Sequence, residues 1–450
     1  MGKIENLFKI YSLGALAMRH LPLILGTLGA CFFTTTARAG DWPQWRGPEG
    51  NSVSTESGLP TQWGEQKNVA WKTPLPEWGT STPAIFGDAI FVTSEADGEL
   101  LLLRIDKNSG RVVWQKHVGS GRANRKQPGS GSRTAKFHNL HNMASPSPVT
   151  DGERVIVHFG NGDLASYTVD GREEWRRNLA TDYSPYTIWW GHANSPVLFG
   201  DAVISVCMQD SLEGVRSELA PSYVVAHDKR TGKVLWKTMR MTQADAEQCD
   251  AYTTPVLFSK AGHTQMIIMG GNELDAYDPT DGKRLWQLPG LVGNRTITGP
   301  TVADGMVYAT CGARGALEAV KLGGSGRLDA AKAVAWKYAD STPDTPCPVV
   351  WKDDLFLVSD NGVATCLDAH SGKRLWRNRL SSRDVKSSPL AADGHIYFLG
   401  RDGVCTVVDA SAGFRVVSAN RLDDEFEASP AVSGGRLYLR GRRSLYAVGK

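Results

Sequence analysis

Ala226-His227-Asp228-Lys229-Arg230-Thr231-Gly232-Lys233-Val234-Leu235-Trp236 holds the pattern that the rest of the chain repeats. An Asp that can bond nearby backbone amides stands four residues before a Gly free to take positive φ, which is the chemistry of a tight turn. The apolar residues and the Trp that follow suit a short strand. The same Gly-to-Trp closing recurs at Gly110/Trp114, Gly171/Trp175, Gly282/Trp286 and Gly372/Trp376. The Asp-to-Gly spacing recurs at Asp106/Gly110, Asp278/Gly282, Asp368/Gly372 and Asp409/Gly413. A second landmark keeps step with the first, an X-Pro opening before an apolar strand. It stands at Thr82-Pro83, Ser147-Pro148, Ser195-Pro196, Thr254-Pro255, Gly299-Pro300, Cys347-Pro348, Ser388-Pro389 and Ser429-Pro430, which makes eight units.

Within a unit the pattern is four short strands, clearest in the sixth: residues 348–350, 355–359, 363–368 and 374–377. Asp353-Asp354 and Asn361-Gly362 make tight hairpin links between them. Strands of this kind, repeated at roughly 40 to 60 residue intervals, predict an all-β chain folded as an eight-bladed β-propeller of four-stranded antiparallel blades. No helical periodicity separates the units, which excludes a parallel α/β fold. The last unit ends at residues 445–448 with only three strands, and residues 68–72, before the first opening, read as its missing fourth. The N-terminal strand then closes the last blade, and closure hides edges that promote aggregation. The recurrent Trp is expected to pack between neighbouring blades.

The domain plan is a signal peptide over residues 1–39, an N-terminal extension over 40–67 and the propeller over 68–450. Arg19 and His20 precede an apolar run at residues 21–33, and Ala37-Arg38-Ala39 offers a cleavage site. A lipobox ending at Cys31 is the alternative, and would tether the protein to a membrane. No later segment has about 18 uninterrupted apolar residues. Fifty Lys and Arg against 47 Asp and Glu give a formal charge of +3, too small an excess for a nucleic-acid partner.

Residues 226–236 and 277–286 resemble the tryptophan-docking repeat of pyrroloquinoline-quinone (PQQ) propellers. Asp41-Trp42-Pro43-Gln44-Trp45-Arg46-Gly47-Pro48 also resembles the start of exported PQQ-like repeat proteins of planctomycete-type bacteria. The resemblance covers essentially the mature chain and implies the fold. It spans quinoprotein alcohol and sugar dehydrogenases as well as the non-enzymatic lipoprotein of the outer-membrane β-barrel assembly machinery, so the fold does not fix the function. In those dehydrogenases PQQ typically stacks between a Trp and a vicinal Cys-Cys disulfide beside a calcium ion held by carboxylates and an Asn. This chain has no adjacent cysteines and no c-type haem motif, so no cofactor is expected, with PQQ and Ca²⁺ kept as the alternative.

In a propeller the loops entering the innermost strands and those joining second to third strands surround the channel on one face. Residues before the X-Pro openings therefore nominate the funnel. The ligand-binding candidates are Trp189, Trp190, His192, Asp250, Tyr252, Arg295, Asp344 and Arg383. Trp189 and Trp190 beside His192 can stack a flat or sugar-like ligand, or serve as packing and rim residues. His138 and His141 read as surface histidines rather than metal ligands, residues 423–427 as a solvated acidic loop, and residues 119–136 as a basic flap. Cys207 with Cys249, and Cys311 with Cys347, stand in the same topological relation and are possible disulfides between adjacent blades. Cys366 and Cys405 read as buried fillers. No nucleophile elbow, His-Glu-x-x-His, Walker or dinucleotide motif appears in the mature chain. The expected function is a non-catalytic binding or scaffold propeller, a monomer, in the periplasm or at the outer-membrane periphery, holding an envelope protein or small ligand in its funnel. A divergent PQQ/Ca-dependent alcohol or sugar dehydrogenase is the alternative, and glycan binding at Trp189 and Trp190 a third reading.

Overall fold

The computed structural model describes residues 40–121, 137–210, 221–310, 315–411 and 413–450. The expected export signal, Cys31, Cys311 and most of the basic flap lie outside them. Eight antiparallel sheets of four strands each follow one another along the chain. The sixth runs Val349–Trp351, Asp354–Val358, Val363–Asp368 and Arg374–Arg379, in chain order from the innermost strand outward. The eighth has three C-terminal strands, Ala431–Ser433, Arg436–Arg440 and Ser444–Val448. Val69–Pro74 completes it, antiparallel to Ser444–Val448 with Trp71 opposite Ala447. The ring is thus closed by the strand that the sequence left without a partner. Helix among the described residues is confined to single turns such as Leu179–Asp182 and Ala330–Ala333.

The repeat landmarks explain how blades join. The Trp of one blade lies on the Gly of the next, where only a residue without a Cβ leaves room. A Cβ at Gly232, φ +68°, would stand 2.8 Å from the Trp175 ring. Trp71 on Gly110, Trp114 on Gly171, Trp236 on Gly282 and Trp336 on Gly372 repeat the contact. Each indole N–H then donates to a carbonyl of the next blade's turn, Trp175 to Lys229 O at 2.9 Å and Trp114 to Val169 O at 3.0 Å. A bulge just before the Trp, such as the shift between Ala226 and His227 in the third blade, breaks strand alternation and re-aims the ring. Trp286 departs from the pattern and donates within its own blade, to Gln265 Oε1 at 2.9 Å. The fifth blade has no Asp-x-x-x-Gly turn to receive it.

Two short segments extend sheets beyond four strands. Gly326–Arg327 pairs in parallel with the outer strand of the fourth blade, and Val53–Ser54 pairs in parallel with the innermost strand of the seventh. The second brings the N-terminal extension into the channel.

The expected staple between Cys207 and Cys249 is not formed, and both are free thiols. Cys207 points into the core shared by the second and third blades. Cys249 Sγ instead faces its own turn, at 3.2 Å from Ala244 O. Cys347 is also a free, buried thiol.

Candidate functional site

Each blade opens with a residue whose neighbour is Pro, and these residues form a girdle around the channel. Proline disfavours helical backbone in the residue before it, so that residue stays extended and its N–H points sideways to the next blade. Thr82 N–H donates to Ser147 Oγ at 2.9 Å, Ser147 N–H to Ser195 Oγ at 2.8 Å, and Ser195 N–H to Thr254 Oγ1 at 3.1 Å. Farther round, Gly299 N–H meets Cys347 Sγ at 3.1 Å, Cys347 N–H meets Ser388 Oγ at 3.0 Å, and Ser388 N–H meets Ser429 Oγ at 3.0 Å. Thr82 Oγ1 closes the circle on Ser429 O. Gly299 offers no side chain to the fourth blade, and the Trp45 ring stands beside that gap, 3.3 Å from where a Cβ would be.

Trp45 belongs to a floor made by residues 41–54. Trp42 exchanges both backbone hydrogen bonds with Ile85 of the first blade, Pro43 O accepts Thr150 N–H of the second, and Ser52 O accepts Ala391 N–H of the seventh. The turn between them uses positive φ at Arg46 and Gly47. Arg46 is fully buried and donates to Ser52 Oγ at 2.9 Å, Pro300 O at 3.0 Å, Thr301 Oγ1 at 2.7 Å and Pro348 O at 2.8 Å. Every acceptor is neutral, and burial holds the guanidinium pKa below its ordinary value.

Above this floor is a cavity of about 350 Å³, within the range of ligand pockets. Its wall has two sectors. One is aromatic and imidazole: His141 Nε2 lies 2.7 Å from Trp190 O, Trp190 Nε1 donates to Glu247 Oε1 at 2.8 Å, and Tyr252 OH accepts Trp190 N–H at 3.2 Å. The other carries alternating charge. Arg295 lies 3.4 Å from Asp344, Lys386 lies 3.1 Å from Asp360, and Glu427 receives Arg401 at 3.0 Å and Arg442 at 2.7 Å. Burial opposes the Lys386 charge, yet Asp360 and Asp384 hold its pKa above the ordinary value.

Of the sequence-nominated residues, Trp190, Tyr252, Arg295 and Asp344 line this cavity, as do His138 and His141. The other four do not. Trp189 meets Trp190 edge-on at 85° and gives its N–H to Asp250. Asp250 is buried behind the wall and also receives Asp210 N–H, and burial pushes its pKa up to about 8 despite those donors. His192 is buried against Tyr186 and His158, its Nε2 3.3 Å from His158 Nδ1, and burial lowers its pKa to about 3. Arg383 is exposed, because Val385 enters the core and Lys386 takes the place in the funnel. Sequence reasoning missed Trp45 and Asp360. Asp360 sits in a loop between second and third strands, the kind of loop that faces the channel. For Trp45 nothing in the sequence signals a return to the axis.

The chain matches the family described as outer membrane protein assembly factor BamB over residues 47–207, 220–350 and 326–448. It is 24% identical over 251 residues to an outer membrane protein assembly factor BamB of Moranella endobia, an alignment covering 48% of this chain and 58% of that relative. Among solved structures it superposes on BamB from Moraxella catarrhalis with a TM-score of 0.57 and 14% identity, over 84% of this chain and 99% of that one. It superposes on a quinohemoprotein alcohol dehydrogenase from Comamonas testosteroni with a TM-score of 0.66 and 13% identity, over 92% and 82% of the two chains.

Proposed function

This chain belongs to the outer membrane protein assembly factor BamB family, and we propose that it is an exported, non-catalytic scaffold of the cell envelope that holds an assembly partner at its funnel face. The observation that carries the reading is the family match itself, which spans nearly the whole propeller. The funnel supports it, because the rim charges are spent on one another, Arg295 on Asp344, Lys386 on Asp360 and Arg401 with Arg442 on Glu427. Such a rim gives a partner oriented charge at fixed positions, which favours specificity over raw affinity. Among the described residues no helix is long and apolar enough to cross a membrane. Deleting the gene is expected to lower the abundance of β-barrel proteins in the outer membrane, measured by quantitative mass spectrometry. Wild-type chain should restore them, and a Lys386→Glu, Arg401→Glu double variant should restore them only in part. Unchanged β-barrel protein levels after deletion would remove the reading.

The quinoprotein alternative is favoured by one feature, an aromatic floor at Trp45 under the funnel. The donor set fits PQQ with calcium poorly. No two cysteines are adjacent in the chain, the funnel carboxylates each face a cation, and no three His, Cys, Asp or Glu residues converge as a metal set among the described residues. Adding PQQ with Ca²⁺ tests it directly: stoichiometric cofactor absorbance with dye reduction would replace the scaffold reading.

A further inference from the structure

The base and the rim of the funnel differ in how their charges are met. At the rim each lining carboxylate has a cation within reach. At the base the fully buried Arg46 has none among the described residues, whereas Arg440, buried beside the girdle, has the Glu427 carboxylate near enough to favour its charge. Arg46 spends its donors on two carbonyls and two hydroxyls. Two of its acceptors, Pro300 O and Pro348 O, directly follow the girdle residues Gly299 and Cys347. Across the axis Arg440 donates to Ser81, which stands between the cavity residues Thr80 and Thr82, and to Ser94 Oγ at 3.2 Å. Among the described residues its Nε has no acceptor. A buried cation with no anion is costly, and a negative group entering the cavity above Arg46 would offset part of that cost.

The girdle supplies donors in the same place. Ser147, Ser195, Thr254, Ser388 and Ser429 all line the cavity and are each at least nine-tenths buried. Ser147, Ser195, Thr254, Ser388 and Ser429 each accept a neighbour's N–H. A hydroxyl can also donate, and among the described residues none of these five has an acceptor for its hydrogen. Five unspent O–H donors therefore surround the axis over the uncompensated Arg46 guanidinium, beside the Trp45 ring. Preorganised donors of this kind suit a group rich in lone pairs and negative charge.

We propose that the base of the funnel is a carboxylate-recognition site, taking the acid group of a small organic acid or of a chain terminus, with the body of the ligand against Trp45 and Trp190. The proposal rests on the funnel being the binding face. The free acid and the chain terminus share one chemistry, and the probes distinguish them.

Isothermal titration of the full chain compares 4-hydroxybenzoate with its neutral amide, and a six-residue peptide bearing a free C-terminus with the same peptide amidated. The expected result is binding of at least one acid form with the matching amide at least tenfold weaker. Binding by the free-acid peptide alone points to a chain terminus, and by 4-hydroxybenzoate to a small acid. Ser195→Ala should weaken the acid several-fold. Arg46→Met should weaken it more than Arg46→Lys does, with circular dichroism checking that each variant folds. The acid–amide comparison needs no variant. Equal binding of acid and amide, or no binding by any probe at about 1 mM, overturns the proposal. If it fails while gene deletion still depletes outer-membrane β-barrel proteins, the scaffold reading stands and only the carboxylate site is lost.

Discussion

At the junction of the second and third blades Trp175 rests on Gly232 and its indole N–H reaches Lys229 O, and the same arrangement returns at four other junctions. Around the funnel the blades present different groups: an imidazole at His141, an indole at Trp190, a phenol at Tyr252, a carboxylate at Asp360, an ammonium at Lys386. The junctions repeat because every blade faces the same physical problem, two sheet faces that must be buried against a neighbour. The funnel varies because nothing in the packing of the ring constrains its loops. Repetition marks the fold, and departure from repetition marks the place where chemistry is free to differ.

The largest test of that contrast removes one indole from each region. Trp175→Ala is expected to cost about 3–5 kcal/mol of stability, read as a fall in the urea midpoint. Trp190→Ala should cost less than about 1 kcal/mol. Equal losses would mean that the Trp190 wall is as structural as the junctions.

Acid pH should act through the same junction. Burial and then Arg177 lower the His227 pKa to about 4, and Tyr183 OH lies 2.9 Å from its Nε2. The unfolded chain titrates this group near 6.5, so between about 4 and 6.5 the unfolded state binds more protons than the folded one. Stability from His227 is therefore full above pH 6.5 and is lost as pH falls to about 4, by up to about 3 kcal/mol. Replacing His227 by Gln should flatten that acid limb in unfolding curves taken at several pH values. An unchanged limb would assign the acid sensitivity to another group.

A smaller effect is expected at Gly232. Gly232→Ala forces a Cβ into a left-handed backbone 2.8 Å from the Trp175 ring, at a cost of about 1–3 kcal/mol. Gly413 has positive φ but no described atom within 4 Å of its would-be Cβ, so Gly413→Ala should lower the melting temperature less. The smallest effect belongs to the position where girdle and floor meet. Gly299 has an ordinary backbone and Trp45 at 3.3 Å, so Gly299→Ala should cost under about 1 kcal/mol while altering the near-ultraviolet dichroism of Trp45. Silence in that band would separate the floor from the girdle.

How far the sequence reached follows from the same contrast. Eight X-Pro openings and the Gly-to-Trp closings repeat often enough to reveal the blade count and the role of Trp. The three-stranded last unit forced residues 68–72 to complete it, because an unpaired edge strand leaves backbone groups unmet. Half of the nominated funnel residues line the cavity. Trp189, His192, Asp250 and Arg383 do not, since loop residues have no alternation to say which side chain faces in. Cys207 and Cys249 share a topological neighbourhood, but topology does not set the direction of a Cβ–Sγ bond: Cys207 lies in the core and Cys249 donates to Ala244 O.

The ring was readable from the order of residues: its eight sheets, its closure by the N-terminal strand and the stacking of Trp on Gly. Those features are local or repeated, and a repeat declares itself in one dimension. It took the folded chain to reveal that residues 41–54 cross the channel, that Trp45 becomes its floor and that Arg46 is buried there with neutral acceptors alone. These depend on one copy of one segment meeting strands as far as 339 positions away, as Ser52 meets Ala391. A contact made once between distant positions leaves no period in the chain from which it can be read.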